Sequence, residues 1–301
     1  MPIARSPGHF GLAALALAMV VSLPLSAQAA SVPPVIGLFT DFGWDDPYVA
    51  QMKGAIVTIN PAARIMDLTH SVTPFNLGEG SYLLDQSAAE FPPGTIFVAV
   101  VDPQVGTDRD PILVETARGK FFVGPDNGLF TTVIDEEGFS GAWKLDRPQY
   151  FRGAAPATSD TFHGRDIFGP VAAHLADGVT PDRLGTPLPE KSLTLLDIRE
   201  PSLAGGTITA QVLHIDHYGN VIINLSKDSD IASKLKEGNL VKISIGRESH
   251  SGPLVKTYGE VDKGRLILLF GGSGLLEVGM NQGSAAKELK VEPGTIIFLK
   301  P

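Results

Sequence analysis

The feature that most constrains the fold of this chain is a short apolar run that leads directly into charged residues. Residues 95–101 read TIFVAVV; Asp102 comes next, then a turn with Pro103 and Gly106, and then Arg109. Such a valine-rich run is typical of a strand buried on both faces, as in a parallel sheet. In open α/β sheets, ligands bind beyond the carboxyl ends of the strands. One such carboxylate–guanidinium pair would fit a simple loop salt bridge, but the arrangement recurs along the chain.

The first recurrence lies near the start of the chain. Residues 35–39 form a second apolar run, which ends at Asp41, and Pro47 follows a short loop. Proline is favoured at the first position of a helix, so we expect a helix from Pro47 with Asp45 or Asp46 as its cap. Together, Asp41 and Asp46 offer acceptors for two vicinal hydroxyls or for an ammonium group.

Four further segments combine an apolar run with polar residues. In the third of them, Phe162, His163 and Arg165 precede a predicted amphipathic helix. The four segments are RIMDLTH at 64–70, FFVGPDNGLFTTV at 121–133, TFHGRDIFGPVAAHLADG at 161–178 and VLHIDHYGNVIINL at 212–225.

The order of strand and helix patterns predicts two domains after an N-terminal leader. Strands and helices alternate from residue 35 to about 177, and short β runs separated by glycine and aspartate turns follow residue 206. We expect an α/β N-terminal domain at 31–190 with a mostly parallel central sheet, and a smaller, all-β, barrel-like C-terminal domain at 191–301. The proline- and glycine-rich stretch at about 178–206 is interpreted as the linker.

The first 30 residues have the pattern of a secretory signal peptide. Arg5 supplies the positive charge, 11–25 is apolar, and Ala27-Gln28-Ala29 fits a cleavage site. We expect an exported, periplasmic protein with no membrane anchor after cleavage.

Composition excludes several kinds of site. The formal net charge is −9, which argues against nucleic acid as a partner. There is no cysteine, so disulfides and thiolate chemistry are excluded. Asp67, His70, Asp102 and His163 could be combined into a metal site, but they lack the local spacing of metal ligands. We therefore expect neither a metal nor a cofactor.

Five motifs occur in an order that resembles the S-adenosyl-L-methionine (SAM) hydroxide adenosyltransferase family, also called SAM hydrolases, which is related to the fluorinases and chlorinases. The resemblance runs from about residue 35 to 301. The motifs are TDFG-x-x-D-x-YV, VDP-x-VGT-x-R, FVGPDNG, TFHGRDIF and ID-x-YGN.

The resemblance implies hydrolysis of SAM to adenosine and L-methionine by water or hydroxide attacking C5′. It assigns catalysis to Asp102, Arg109 and His163. Asp102 could act as the base, or Arg109 and His163 could hold a hydroxide. The residues that the resemblance assigns to substrate binding are Asp41 and Asp46 for polar contacts at the sugar, Phe162 beside the sugar and sulfonium, Asp216 for the methionine ammonium, Tyr218 and Asn220 for adenine, and Ser273 for the methionine carboxylate. Trp44 is a second aromatic that could shelter the sulfonium.

The resemblance also implies a homotrimer, with each site between the N-terminal domain of one subunit and the C-terminal domain of its neighbour. Three positions depart from the pattern of these relatives, and one of them, Tyr218, replaces a common phenylalanine. Gln104 stands where the family usually has glycine, and it would be strained if the loop needs a positive φ there. Gly164 stands where the fluorinases have a halide-binding serine.

The alternatives left open are a periplasmic nucleoside- or SAM-binding protein without turnover, and a SAM-dependent halogenase.

Overall fold

The computed structural model describes residues 33–153 and 158–301, together with Met1, Pro2 and Ala4. Residues 33–301 form one compact unit. The predicted signal peptide and its cleavage site lie outside the described residues, apart from those three. Among the described residues, no helix combines the length and the apolar character needed to cross a bilayer.

The first half of the chain builds a seven-stranded sheet with helices on both faces. Its strands are β1 (Val35–Thr40), β2 (Arg64–Thr69), β3 (Ile96–Val100), β4 (Pro111–Thr116), β5 (Phe121–Pro125), β6 (Phe139–Lys144) and β7 (Thr186–Leu188). Its helices are α1 (Tyr48–Ile59), α2 (Leu77–Ala88), α3 (Thr131–Glu137), α4 (Gly169–Ala176) and α5 (Pro181–Leu184), and a π-helical turn (Gly164–Phe168) precedes α4.

The strand order β2-β1-β3-β5-β4-β6-β7 makes this sheet mixed, so the expectation of a mostly parallel sheet is not confirmed. The pairs from β2 to β5 are parallel, and those from β5 to β7 are antiparallel. The physical reason lies in the connection at 117–120. A link of that length can join only antiparallel neighbours, because a parallel pair needs a crossover of a dozen or more residues.

The core of this half lies on both faces of the sheet. Every residue of β3 is buried, as its apolar run predicts. Leu38 and Val98 pack towards α1 and α4, while Phe39 and Phe97 belong to a second buried cluster that includes residues of α2 and α3. The first turn of α2 is capped by Asn76, whose side chain accepts from the backbone N–H of Glu79 at 3.1 Å.

The second half forms a nearly closed antiparallel barrel. Its elements are β8 (Ser202–Ala204), β9 (Thr207–Ile215), β10 (Val221–Ser226), β11 (Leu240–Ile245), β12 (Glu248–Pro253), β13 (Leu266–Phe270), β14 (Leu275–Met280), the short helix α6 (Ala285–Leu289) and β15 (Ile296–Lys300). The strand order is β12-β11-β15-β9-β10-β14-β13, and a bridge between Leu254 and Leu268 joins the two ends. Apolar side chains of all these strands except β8 and β12 fill its interior.

The two halves meet where α2 packs beside β9. Glu79 of α2 lies 2.6 Å from Nδ1 of His214 in β9. The stretch at about 178–206, predicted as a linker, contributes β7 to the first sheet and β8 to the second.

Candidate active site

Asp102 and Arg109 occupy the two ends of the loop that leaves β3 and enters β4. The guanidinium of Arg109 donates two hydrogen bonds to the carboxylate of Asp102: Nε donates to Oδ1 at 3.1 Å, and Nη2 donates to Oδ2. Only 4% of the Asp102 side chain and 3% of the Arg109 side chain are exposed. A paired geometry of this kind fixes both groups, because the planar guanidinium matches the carboxylate atom for atom.

His163 completes a group of three that we call the arginine cluster: Asp102, Arg109 and His163. Nη2 of Arg109 lies 2.8 Å from His163 Nδ1. Arginine has no acceptor, so the arginine donates and His163 Nδ1 accepts, which leaves the ring proton on Nε2. Burial, followed by the positive charge of Arg109, holds the pKa of His163 below its ordinary value of 6.5. The imidazole is therefore neutral at pH 7.

One buried nitrogen of the arginine cluster has no partner in the described part of the chain. Nη1 of Arg109 is buried and has no hydrogen-bond partner among the described residues. Buried polar groups in folded proteins are nearly always paired, so this nitrogen is a candidate contact for a ligand or a water. The sequence predicted Asp102, Arg109 and His163 as one site, and the structure brings them together.

A glycine lets the two segments of the arginine cluster approach each other. Gly106 has a φ of +78°, and a Cβ built on it would lie 2.3 Å from the carbonyl oxygen of Asp160. The positive φ falls at this glycine and not at Gln104, so the strain considered for Gln104 is absent. The loop at 103–108 thus packs directly on the segment that carries His163.

A cavity of about 560 Å³ opens in front of the arginine cluster. Asp102 and His163 belong to its wall, and so does Asp41 at the end of β1. Oδ2 of Asp41 accepts from the backbone N–H of Phe75 at 2.9 Å, and burial raises the pKa of Asp41 above 3.8. Phe75 also lines the cavity, and its φ of 68° is unusual for a residue with a side chain.

Three aromatic rings form one side of this cavity. Phe162 contacts Phe42 and Tyr48 edge-to-face, at centroid distances of 5.9 Å and 5.5 Å. The guanidinium of Arg165 lies 4.9 Å from the centre of the Phe162 ring. Such rings attract cations through their faces. The sequence predicted Phe162; it did not assign Phe42 or Tyr48, although both stand in motifs that it identified.

One sequence-based expectation for this region, the helix cap, is not met. The helix α1 begins at Tyr48 with Pro47 at the N-cap position, and no side chain caps it, so Asp45 and Asp46 do not have that role. Asp46 is exposed and lies outside the residues that line the cavity. Trp44 packs edge-to-face on His70, with ring centres 4.6 Å apart.

The structure also separates the four residues whose combination into a metal site the sequence disfavours: Asp67, His70, Asp102 and His163. Asp67 and His70 belong to a separate cluster with Thr40, described below, while Asp102 and His163 belong to the arginine cluster. Within residues 33–153 and 158–301, no three acidic or histidine side chains converge in a geometry suited to a metal ion.

The residues predicted for adenine and the ammonium lie on the barrel, in the tight turn between β9 and β10. Oδ1 of Asp216 accepts from the backbone N–H groups of Tyr218 and Asn220 at 2.9 Å and 2.8 Å, and its Oδ2 accepts from Nδ2 of Asn220 at 2.8 Å. Asn220 is buried, whereas 76% of Tyr218 is exposed. The turn thus displays an aromatic face on a backbone that its own aspartate holds rigid.

These residues line a different cavity, of about 690 Å³. Tyr258 and Glu277 lie in the same wall, and the Tyr258 hydroxyl donates to Oε2 of Glu277 at 2.9 Å. Burial raises the pKa of Glu277. The sequence gave no signal for Tyr258 beyond an isolated aromatic residue. Ser273 is exposed on the turn between β13 and β14 and is not among the residues of this wall.

The candidate site is therefore divided between two places in one chain. Every residue that lines the first cavity comes from residues 41–165, and every residue that lines the second comes from 216–283. The fold defines a class of protein in which an α/β domain carries a charged, aromatic-walled cavity and a β barrel carries a second, separate cavity.

Both halves of the chain match the models of one protein family. Residues 36–185 match the SAM hydroxide adenosyltransferase N-terminal domain, and residues 210–298 match the SAM hydroxide adenosyltransferase C-terminal domain. The chain belongs to the SAM hydroxide adenosyltransferase family, which is a family of enzymes.

Individual relatives agree with this assignment. A protein of Thermus thermophilus named (R)-S-adenosyl-L-methionine hydrolase is 36% identical over 275 residues, which cover 86% of this chain and 97% of the relative. One of the same name from Methanocaldococcus jannaschii is 37% identical over 265 residues, covering 86% and 92%. A fluorinase from an Actinoplanes species is more distant, at 27% over 291 residues, covering 88% and 96%. Among solved structures, an uncharacterized conserved protein from Thermotoga maritima is similar with a TM-score of 0.83 and 37% identity, covering 89% of this chain and 100% of that one.

Proposed function

We propose that this protein hydrolyses SAM to adenosine and L-methionine. The observation that carries the proposal is the arginine cluster at the wall of a cavity that also contains a carboxylate, Asp41, and a group of aromatic rings around Phe162. The volume of about 560 Å³ lies in the range of small-molecule sites. The relatives named as hydrolases of this substrate support the same activity.

The reaction is a displacement at carbon. The oxygen of a water or hydroxide forms a bond to C5′ as the C5′–S bond breaks, and the bonding electron pair stays on sulfur. Methionine leaves as a neutral thioether, and a water nucleophile releases one proton. Holding the nucleophile in line with the breaking bond is the main contribution a protein can make to such a step. The rings of Phe162 and Tyr48 would shelter the sulfonium before its charge disappears.

The arginine cluster offers two ways to supply the nucleophile. Asp102 and His163 face the cavity, and Arg109 holds both of them in place. In the first, Asp102 orients a water and accepts its proton. In the second, a hydroxide is held by the free Nη1–H of Arg109 and the Nε2–H of His163. The second option agrees with two observations: both Asp102 oxygens already accept from Arg109, and Nη1 has no acceptor among the described residues.

Asp41 suits recognition of the ribose. Its Oδ2 accepts from Phe75, which leaves Oδ1 for a hydroxyl of a vicinal pair. The ribose-binding role of Asp41 rests on the resemblance and on the position of Asp41 in the cavity wall. Asp46 stays a predicted second contact.

The barrel surface suits recognition of adenine and methionine. The amide nitrogen of Asn220 is engaged by Asp216, so its Oδ1 is left to accept from an amino group. The exposed ring of Tyr218 provides a stacking face. Oδ2 of Asp216 accepts one hydrogen bond within the turn and can take a second from an ammonium group. Ser273 is retained as the predicted contact to the carboxylate.

We further propose a homotrimer in which the cavity of one subunit faces the barrel surface of its neighbour. The separation of the two residue sets within one chain supports this arrangement.

The trimer is tested by mixing two inactive variants, Asp102→Asn and Asn220→Ala, after reversible dissociation. Shared sites would restore roughly a quarter of the wild-type activity in an equal mixture, because random closed rings regenerate some intact sites. An active monomer, or no recovery in verified mixed oligomers, would contradict the proposal.

The activity is tested directly by incubating the purified protein with SAM in ¹⁸O-labelled water. We expect the label in the 5′-hydroxyl of adenosine and none in methionine. Unlabelled adenosine would contradict attack at C5′. A protein that binds SAM without turnover would instead be the non-catalytic binding protein considered above, and a 5′-halogenated product in chloride or fluoride would identify a halogenase.

We also propose that the protein is exported to the periplasm, on the basis of the N-terminal sequence pattern. Mass spectrometry of the periplasmic fraction should find a mature chain beginning at Ala30 or Ser31. An intact N-terminus in the membrane fraction would show that the segment is retained as an anchor.

A further inference from the structure

A second aspartate–histidine cluster lies at the ends of β1 and β2. We call Thr40, Asp67 and His70 the threonine cluster. Nε2 of His70 lies 3.0 Å from Oδ1 of Asp67, and Nδ1 lies 2.8 Å from Oγ1 of Thr40. Thr40 and His70 are fully buried. Lys53 engages the other oxygen of Asp67 at 2.6 Å.

The hydrogen bonds of the threonine cluster have one consistent direction when the imidazole is neutral. A carboxylate only accepts, so Nε2 of His70 carries the proton and donates to Asp67. Nδ1 then accepts from the hydroxyl of Thr40. The oxygen of that hydroxyl in turn accepts from the backbone N–H of Phe42 at 3.1 Å. The histidine is thus connected, through one hydroxyl, to the backbone of the next loop.

The backbone of His70 holds the same loop. Its carbonyl oxygen accepts from the N–H of Gly43 at 2.7 Å. The N–H groups of two successive residues, Phe42 and Gly43, are therefore fixed by this one residue, that of Phe42 through Thr40. Asp41 lies between Thr40 and Phe42, and both Asp41 and Phe42 belong to the wall of the first cavity.

His70 cannot reach a substrate in this arrangement. Both of its ring nitrogens are engaged, its side chain is fully buried, and the ring of Trp44 covers it. Its effect on a reaction must pass through the loop that it holds.

We propose that His70 is a positioning residue, which acts through Thr40 to fix Asp41 and Phe42 in the cavity wall. The proposal rests on the proposed function in so far as Asp41 contacts the substrate. It does not make the threonine cluster part of the chemistry, and it does not require the histidine to change its protonation during turnover.

The test removes the central hydroxyl with Thr40→Val. Thr95→Val is the matched control, because Thr95 is also buried and its hydroxyl donates to the carbonyl oxygen of Pro92 at 2.8 Å, away from the cavity wall. We expect Thr40→Val to raise KM for SAM about tenfold and to change kcat less than about threefold, because a buried N–H and an imidazole nitrogen lose their partner. Thr40→Ser, which keeps the hydroxyl, should restore KM.

A double-mutant cycle separates positioning from general destabilisation. In an Asp41→Ala background, Thr40→Val should raise KM little further, because the contact through which it acts is already gone. Full additivity in this cycle, or equal effects of Thr40→Val and Thr95→Val on KM, would overturn the proposal.

Amide exchange gives a readout that does not depend on turnover. In Thr40→Val, exchange at Phe42 and Gly43 should accelerate about tenfold or more relative to the wild type, while Val98 in the core of the sheet stays protected. Absence of SAM turnover by the wild-type protein would refute the proposed function alone. Unchanged protection at Phe42 and Gly43 would refute the positioning role, whatever the substrate is.

Discussion

Two neighbouring regions at one edge of the N-terminal sheet use the same residue types for different ends. The arginine cluster and the threonine cluster each pair an aspartate with a histidine. In the threonine cluster every hydrogen-bonding ring atom has a partner inside the protein. In the arginine cluster Asp102 and His163 face a cavity, and Nη1 of Arg109 has no partner among the described residues. The contrast shows that the same residue types form a fully paired network in one cluster and keep an unpaired buried nitrogen, among the described residues, in the other.

The largest expected difference between the clusters is in turnover. Asp102→Asn should lower kcat by about 10²–10⁴-fold, because it removes either the base itself or the charge that holds Arg109 in place. Asp67→Asn should lower kcat less than about tenfold, because Asp67 is connected to the cavity wall only through His70 and Thr40. Chromatographic measurement of adenosine release compares the two. Similar losses in both variants would show that the distinction between the clusters is wrong.

Asp102→Asn should also lower the stability of the folded protein. Asp102→Asn leaves the buried guanidinium of Arg109 without its counter-charge, and breaking a buried pair costs about 3–5 kcal/mol of unfolding free energy. Denaturant unfolding of each variant shows how much of a loss in turnover is a loss of folded protein. Normalising kcat to the folded fraction should leave most of the Asp102→Asn defect in place.

The next largest effect concerns the loop that builds the arginine cluster. Gly106→Ala should reduce turnover about tenfold or more, because its new Cβ would collide with the Asp160 carbonyl and separate the segments. Gly94→Ala is the control: Gly94 also has a positive φ, of +83°, but has no atom within 4 Å of its Cβ position. It should cost about 1–2 kcal/mol of stability through backbone strain alone. Equal kcat values for the two variants would contradict a spacing role for Gly106.

A pH effect should arise from the histidine of the arginine cluster. Because its pKa is lowered, His163 stays neutral until the pH falls below 6.5, whereas in the unfolded chain it takes up its proton near 6.5. The unfolded state therefore binds more protons in this window. His163 contributes to stability above pH 6.5, and the contribution is lost as the pH falls from 6.5 to the lowered value. NMR titration should find its midpoint below 6.5, and a midpoint at or above that value would be inconsistent with the buried contact to Arg109.

The smallest effect is expected at the outer end of the threonine cluster. Lys53 and Asp67 form an ion pair whose side chains are 34% and 29% exposed, and pairs near the surface contribute about 0–1 kcal/mol. Lys53→Met should therefore change the unfolding free energy by less than about 1 kcal/mol and leave KM for SAM nearly unchanged. A large rise in KM would extend the positioning role of His70 outward to Lys53.

Much of the arginine cluster could be predicted from the sequence, because its parts follow strong local signals. An apolar run identifies β3, and Asp102 and Arg109 come directly after it. That His163 would join them followed from the order of the motifs in the resemblance. The threonine cluster was not predicted, because Thr40 carries no local signal of a hydrogen bond to a residue 30 positions away.

Pairing partners and side-chain directions account for the errors. The period of an apolar run shows that a strand is buried, but it does not show which neighbour the strand pairs with, so the antiparallel half of the sheet was missed. The short connection at 117–120 was the available signal. Asp45 or Asp46 was expected to cap α1, yet Pro47 takes the N-cap position and the helix begins one residue later.

The rigidity of the turn at 216–220 determines which thermodynamic terms would dominate ligand binding at the barrel surface. Its aspartate already satisfies the backbone and side-chain donors around it, so the loop has little conformational entropy left to lose on binding. The main change would then be removal of water from the exposed ring of Tyr218. Binding at this surface should accordingly show a negative heat-capacity change from buried apolar area, with little of the unfavourable entropy that accompanies loop ordering. Calorimetry at several temperatures would measure the heat-capacity change and the entropy of binding separately.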